Sequence, residues 1–275
     1  GQPSNAPQNA AGDKRMTLAD CIDDLARSIG FLSRMPVPGR FFRNHDGSLS
    51  RACGLFPAAG LLIALPGAAI FSILVALRVE PLLATFVLLG IQTLITGALH
   101  EDGLSDTADG IGGGRNRERA LEIMRDSRIG SYGAAAMMLS FGIRAAGLLA
   151  LAHNLSPTAA GCVVLAIAAL SRAAMVWHWS LLPQARRDGV AASVGMPEPS
   201  AVRVALGTAV AATVVIIGPA AGAPATALAL LFTGLATYGL THYIDGKIGG
   251  HTGDTIGATQ QCAEMAALFA LALAI

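Results

Sequence analysis

The chain has 275 residues and a mass of 28.0 kDa; 53% of the residues are apolar and only 13% are charged, with a mean hydropathy of +0.56 and a formal net charge of +1. Soluble domains carry about 25% charged residues, so a soluble class is excluded, and the apolar content excludes disorder for most of the chain. The near-zero net charge gives no footing for a nucleic-acid partner, and four scattered cysteines without a CxxC set aside a disulfide framework and a cysteine zinc site.

Residues 1–16 are polar and lack an apolar core, which predicts a disordered tail rather than a secretory signal. The remainder, 17–275, reads as a single integral-membrane catalytic domain. Between 17 and 33, Leu18, Cys21, Ile22, Leu25, Ile29 and Leu32 recur at helical spacing. That pattern predicts an amphipathic interfacial helix on the cytoplasmic membrane surface, stopped by the prolines of Met35-Pro36-Val37-Pro38. Long apolar stretches then predict seven transmembrane spans, at 55–77, 82–99, 131–152, 158–180, 202–220, 224–243 and 258–275. The expected fold class is an all-α polytopic helix bundle. Seven spans place 1–53, 100–130, 181–201 and 244–257 on one side. Of the 19 Lys and Arg residues, 16 fall in or beside those segments. The positive-inside rule makes that side cytoplasmic, in a cell inner membrane.

Between the second and third spans, twelve of the 37 formal charges crowd into residues 101–128. Asp102, Asp106 and Asp109 are spaced i, i+4, i+7, so a helix continuing past Leu99 turns all three to one side. Like charges on one face call for a cation among them, and Mg²⁺ suits carboxylates completed by substrate phosphate and water. Glu101 and Asp126 are further candidate ligands. A glycine run, Gly112-Gly113-Gly114, then precedes Arg115, Arg117, Arg119, Arg125 and Arg128. Glycines admit close backbone approach, and guanidinium groups bind phosphate bidentately, which suggests a diphosphate substrate. A solvated acidic loop, or a basic loop facing anionic lipid, is the plainer alternative. Two arginines, Arg144 and Arg172, fall inside spans, where an interior acidic or phosphate partner is common; Arg172, with Trp177 and Trp179 close by, is expected to snorkel toward the cytoplasmic edge. A second polar island over 241–257 contains Lys247, His251 and Asp254, which suit metal or phosphate binding as well as they suit a connecting loop.

The run Glu101-Asp102-Gly103-Leu104-Ser105-Asp106-Thr107-Ala108-Asp109-Gly110, with Ile123-Met124-Arg125-Asp126-Ser127-Arg128-Ile129-Gly130-Ser131-Tyr132-Gly133, closely resembles the cobalamin synthases, or adenosylcobinamide-GDP ribazoletransferases. Arg34-Met35-Pro36-Val37-Pro38 and Gly249-Gly250-His251-Thr252-Gly253-Asp254 extend the resemblance over nearly the whole chain after residue 16. It implies a Mg²⁺-dependent inner-membrane transferase. Such an enzyme joins adenosylcobinamide-GDP to α-ribazole or its 5′-phosphate, releasing GMP. The central motif is also similar, distantly, to the CDP-alcohol phosphotransferase signature, but Gly113-Gly114 stands where that signature has an Ala-Arg pair. Attack of a ribose hydroxyl on a diphosphate needs charge neutralisation and in-line positioning. The expected roles are metal binding by Asp102, Asp106, Asp109, Asp126 and Glu101, and phosphate or substrate binding by Arg115, Arg117, Arg119, Lys247, His251 and Asp254. Arg125 and Arg128 are expected to stabilise the leaving phosphate, and Asp109 or Asp126 to take the hydroxyl proton. A CDP-alcohol phosphotransferase, a transporter and a structural membrane subunit are the competing readings. Membrane lipid is an expected partner, and whether the chain forms a homo-oligomer is left open.

Overall fold

The structure is a computed structural model that describes residues 17–275; the tail expected over 1–16 lies outside them. Thr17 accepts from the Asp20 amide while the Asp20 carboxylate reaches back to Thr17, and this reciprocal cap starts α1 (Leu18–Leu32). The helix docks by a polar patch rather than by its whole apolar stripe. Buried Asp24 is clamped by Arg51 at 2.6 Å and Arg27 at 3.1 Å, and the Ser28 hydroxyl donates to the Ala52 carbonyl. Leu18 and Ile22 of the predicted stripe remain exposed.

The apolar runs fold as α2 (Phe56–Ala76), α3 (Pro81–Thr96), α6 (Ser131–Asn154), α7 (Pro157–Leu181), α9 (Pro199–Ala221), α10 (Ala223–Ile248) and α11 (Gly253–Ala274). Shorter helices α4 (Leu99–Gly113), α5 (Arg117–Ile123) and α8 (Val190–Ser193) lie in the polar connections. Among the described residues six helices are individually long and apolar enough to cross a membrane, and α3 passes the same test only when taken together with α4, across an 87° bend. Contacts fix the ends. Phe56 meets Trp179, Gly54 abuts Ala201, Arg117 reaches the Ile248 carbonyl, and Arg186 reaches Asp254. The starts of α2, α9 and α11 and the ends of α7 and α10 therefore share one end of the bundle. Asp109, on α4, contacts the start of α6 at this same end, so α3 must be the return crossing. The protein is a multi-pass membrane protein.

α7 is the axle. It buries most of its surface against α2, α9 and α11. Small residues set the spacing: a Cβ on Gly60 of α2 would stand 2.7 Å from the Ala168 carbonyl of α7. In lipid such backbone proximity supplies the packing that hydrophobic exclusion cannot. Large apolar side chains such as Leu94, Met138 and Val215 face outward, the arrangement expected of a surface solvated by acyl chains.

Two expectations on helix continuity change. The second span does not run on past Leu99. Gly97 (φ 64°) and Ala98 (φ 57°) take left-handed conformations, and the chain turns 87° into α4. Glycine suits the first of these because a Cβ there would lie 2.5 Å from Arg34 Nε. The island over 241–257 is mostly helical, with α10 reaching Ile248 and α11 starting at Gly253, so only a four-residue turn separates them.

Candidate active site between α4 and α11

α4 carries the acidic motif, and Gly103 lets it lie directly on the start of α11. A Cβ at Gly103 would be 2.8 Å from the Asp254 carbonyl and 3.2 Å from Gly257 Cα. This contact sets Asp102 and Asp106 beside Asp254. Asp106 lies within electrostatic reach of Asp102, Asp254 and Asp109, with Arg186 as the opposing charge. Among the described residues, Asp102 and Asp106 have no hydrogen-bond or ion-pair partner, unlike Glu101, Asp109, Asp126 and Asp254.

The five expected metal ligands do not converge. Among the described residues, no three His, Cys, Asp or Glu side chains are grouped to hold one ion. Asp109 is buried with both oxygens engaged: Oδ2 accepts from the Gly130 amide at 2.7 Å and Oδ1 from the Gly133 amide at 2.8 Å. It caps the start of α6, where free amides and the helix dipole favour a carboxylate. Glu101 turns into the bundle and meets Arg144 at 3.3 Å. Asp126 binds Arg128 at 2.6 Å in an open cleft of about 480 Å³ that also contains Asp109, Ile129 and Tyr132. Bonding to Arg128 pulls the Asp126 carboxyl down to about 2 and raises the Arg128 guanidinium in return.

The arginines also divide. Arg117 donates to the carbonyls of Ile248 and Ala185, tying α5 to the end of α10. Arg119 pairs with Glu122, and Arg125 with Asp188, both at 2.6 Å on the surface. Arg115 is exposed and has no ion-pair partner among the described residues. The glycines expected to cradle a ligand instead serve packing. Gly112 meets the Tyr132 ring, a Cβ on Gly113 would stand 3.4 Å from Ile123, and Gly114 abuts Ala120 of α5, while Gly110, ahead of the run, lies against Ala120 and against Met124 just past α5. In the second island Lys247 is exposed over Tyr243. His251 is buried with Nδ1 2.9 Å from the Leu182 carbonyl, so Nδ1 carries the proton and Nε2 is a buried acceptor without a partner among the described residues. Burial pushes this imidazole below its ordinary value. Gly250 lets the Pro183–Ala185 backbone lie close, and the His251 amide and carbonyl bond Pro183 and Ala185.

That clasp delivers Arg186, which sequence reasoning missed, to Asp254 at 3.4 Å. The signal was present as Arg186-Arg187 in a short connection on the charged side. Also missed is the lattice beneath the site. Arg144 bridges Glu101 and Glu264 (3.7 Å), Glu264 approaches Arg172 at 4.0 Å, and Gln260, Gln261, Ser140 and Ser171 fill in the hydrogen bonds. Arg144 thus has the interior acidic partner expected of an intramembrane arginine, whereas Arg172, expected to snorkel toward the cytoplasmic edge, is instead buried beside Glu264.

Comparison with known proteins covers the same residues. The family model described as cobalamin-5-phosphate synthase matches residues 24–272. A relative from Rhizobium meliloti (strain 1021), named adenosylcobinamide-GDP ribazoletransferase, is 59% identical over 94% of this chain and 99% of its own. Relatives of the same name from Sinorhizobium medicae (strain WSM419) and Bradyrhizobium diazoefficiens are 58% and 42% identical. They cover 92% and 93% of this chain, and 97% and 95% of theirs. No solved structure matches. With its acidic helix and charged island both inside the matched region, the chain belongs to the cobalamin-5-phosphate synthase family.

Proposed function

We propose that the chain is a Mg²⁺-dependent membrane transferase that joins adenosylcobinamide-GDP to α-ribazole or its 5′-phosphate. The products are adenosylcobalamin or its phosphate, and GMP. The observation that carries the reading is the near-full-length identity to relatives bearing that activity in their name. The unpartnered pair Asp102 and Asp106 supports it, since Mg²⁺ is commonly held by one or two carboxylates with phosphate and water completing the shell. Bound there, Mg²⁺ would neutralise diphosphate charge.

In this reading a ribose hydroxyl oxygen bonds to the phosphorus that carries cobinamide, the bond from that phosphorus to the GMP oxygen breaks, and the hydroxyl proton is released. Arg186 holds Asp254 and faces the same space, so it is assigned to the diphosphate. Arg115, exposed and without an ion-pair partner, is assigned to the departing GMP phosphate. Asp109 and Asp126, whose oxygens are engaged elsewhere, are positioning groups: Asp109 fixes α6 against α4, and Asp126 orders the 124–130 turn. The site opens at the end of the bundle where Lys and Arg are concentrated, which the positive-inside rule makes cytoplasmic.

The test is incubation of the purified chain in detergent with Mg²⁺, adenosylcobinamide-GDP and α-ribazole. Stoichiometric GMP and adenosylcobalamin are expected. Absence of GMP here, with CMP released from a CDP-linked lipid donor instead, would overturn the proposal in favour of a CDP-alcohol phosphotransferase.

A further inference from the structure

Beside the carboxylates lies a cavity of about 260 Å³ that the chemistry above does not use. Its wall is almost entirely apolar: Phe31 of α1, Met175 and Trp179 of α7, Val194 beyond α8 and Ile256 of α11 are among its lining residues. Among the described residues its only charged lining residues are Asp102 and Asp254, the acidic pair on either side of the α4–α11 contact. The wall is also built to stay rigid. Phe31 stacks on Phe56 at 5.9 Å, and Phe56 packs on Trp179 at 6.3 Å, so helices from three parts of the chain lock the aromatic side in place. Trp179 is 1% exposed, and its indole N–H has no hydrogen-bond partner among the described residues. An orphaned buried donor is costly unless something accepts from it.

We propose that this cavity is the subsite for the acceptor's base: a flat, largely apolar heteroaromatic ring enters it, leaving the attached ribose at Asp102 and Asp254. This rests on the transferase reading and adds where the nucleophilic substrate sits. Three features select that occupant. The volume is far too small for a corrin macrocycle. Aromatic and sulfur-bearing walls suit the faces of a fused ring. The one unpartnered donor, Trp179 Nε1, matches a ring with a bare nitrogen acceptor, whereas guanine would strand its exocyclic oxygen and other polar edges against Met175, Val194 and Ile256. α1 gains a purpose too. By contributing Phe31, the amphipathic helix closes one wall of the cavity as well as docking on the bundle.

The experiment uses the full chain in detergent. In a Trp177→Phe background Trp179 is the sole tryptophan. α-Ribazole is expected to change its fluorescence saturably, without metal, and GMP is expected not to. In parallel, Val194→Phe, which narrows the cavity, and Met175→Ala, which widens it, are expected to raise KM for α-ribazole about tenfold while KM for adenosylcobinamide-GDP stays within about twofold. A fluorescence response to GMP but not α-ribazole, with KM rising for the nucleotide substrate instead, would reassign the cavity to guanine and overturn the proposal. Unchanged kinetics in both active variants, with no response to α-ribazole, would overturn it as well and leave an acyl chain as the occupant. Failure of the parent chain to consume α-ribazole at all would instead defeat the transferase reading, so the two failures are separable.

Discussion

Replacing Arg144 by Met tests how the buried lattice supports the site. Arg144 is 1% exposed and stands 3.3 Å from Glu101 and 3.7 Å from Glu264. With Arg172 the four groups balance as two positive and two negative charges. Met matches the apolar length of the side chain but leaves Glu101 with only long contacts, from Thr93 and Gln261 at 3.4 Å each, and an Oε2 that already has no partner. Removing one member of a buried pair costs about 3–5 kcal/mol because the survivor is stranded. Adding Glu101→Gln restores neutrality and keeps hydrogen bonding to Gln261, so the double variant should lose less than the single one, with a coupling of about 1–3 kcal/mol. Reversible unfolding in mixed micelles of the parent, both singles and the double gives the four corners of the cycle. A single-variant cost below about 1 kcal/mol, or strictly additive losses, would show that the lattice does not act as a charge-balanced unit.

Gly103→Ala drives a methyl group against backbone of Asp254 and Gly257, which cannot yield as a flexible side chain can. It should cost about 1–3 kcal/mol in unfolding and sharply lower kcat by parting α4 from α11; wild-type turnover would refute the contact's role. Asp109→Ala leaves the Gly130 and Gly133 amides without their acceptor, and should destabilise the fold by about 1–3 kcal/mol, measured in the same micelles. Asp126→Asn should keep most of its turnover, whereas Asp106→Asn should abolish it; equal losses would return Asp126 to the metal site. The Asp126 carboxyl is depressed to about 2, so its pairing with Arg128 is fully present above the unfolded carboxylate value and fades only as pH falls through the folded one. The pH–rate profile of Asp126→Asn across neutral pH should therefore overlay that of the parent.

Much of the architecture was legible because lipid imposes a coarse rule: apolar runs of crossing length become helices, and charge collects at one end. Six of the seven spans folded as long single helices near their expected bounds, and the acidic motif did sit on one helix. What escaped depends on contacts between distant residues. The break at Gly97 is fixed partly by Arg34, more than sixty positions earlier, and hydropathy passes over it because the apolar run continues through Leu99 before His100, Glu101 and Asp102 begin. Gly112-Gly113-Gly114 is as consistent with a ligand cradle as with close helix packing, and only the positions of Ala120, Ile123 and Tyr132 decide for packing. Glu101 and Asp102 are neighbours in sequence, yet a helix separates them by about 100°, which sends one to Arg144 inside the bundle and leaves the other exposed beside Asp254. Spacing showed which residues could share a face, but not which of them already had partners.

The central claim is that Asp102 and Asp106 together hold the ion that grips the diphosphate. Electron paramagnetic resonance of Mn²⁺ added with GDP to the parent chain and to the Asp102→Asn/Asp106→Asn variant addresses it without relying on turnover. The account predicts a bound Mn²⁺ signal in the parent that is lost in the folded double variant. Retention of that signal with unchanged affinity would place the metal elsewhere and contradict it.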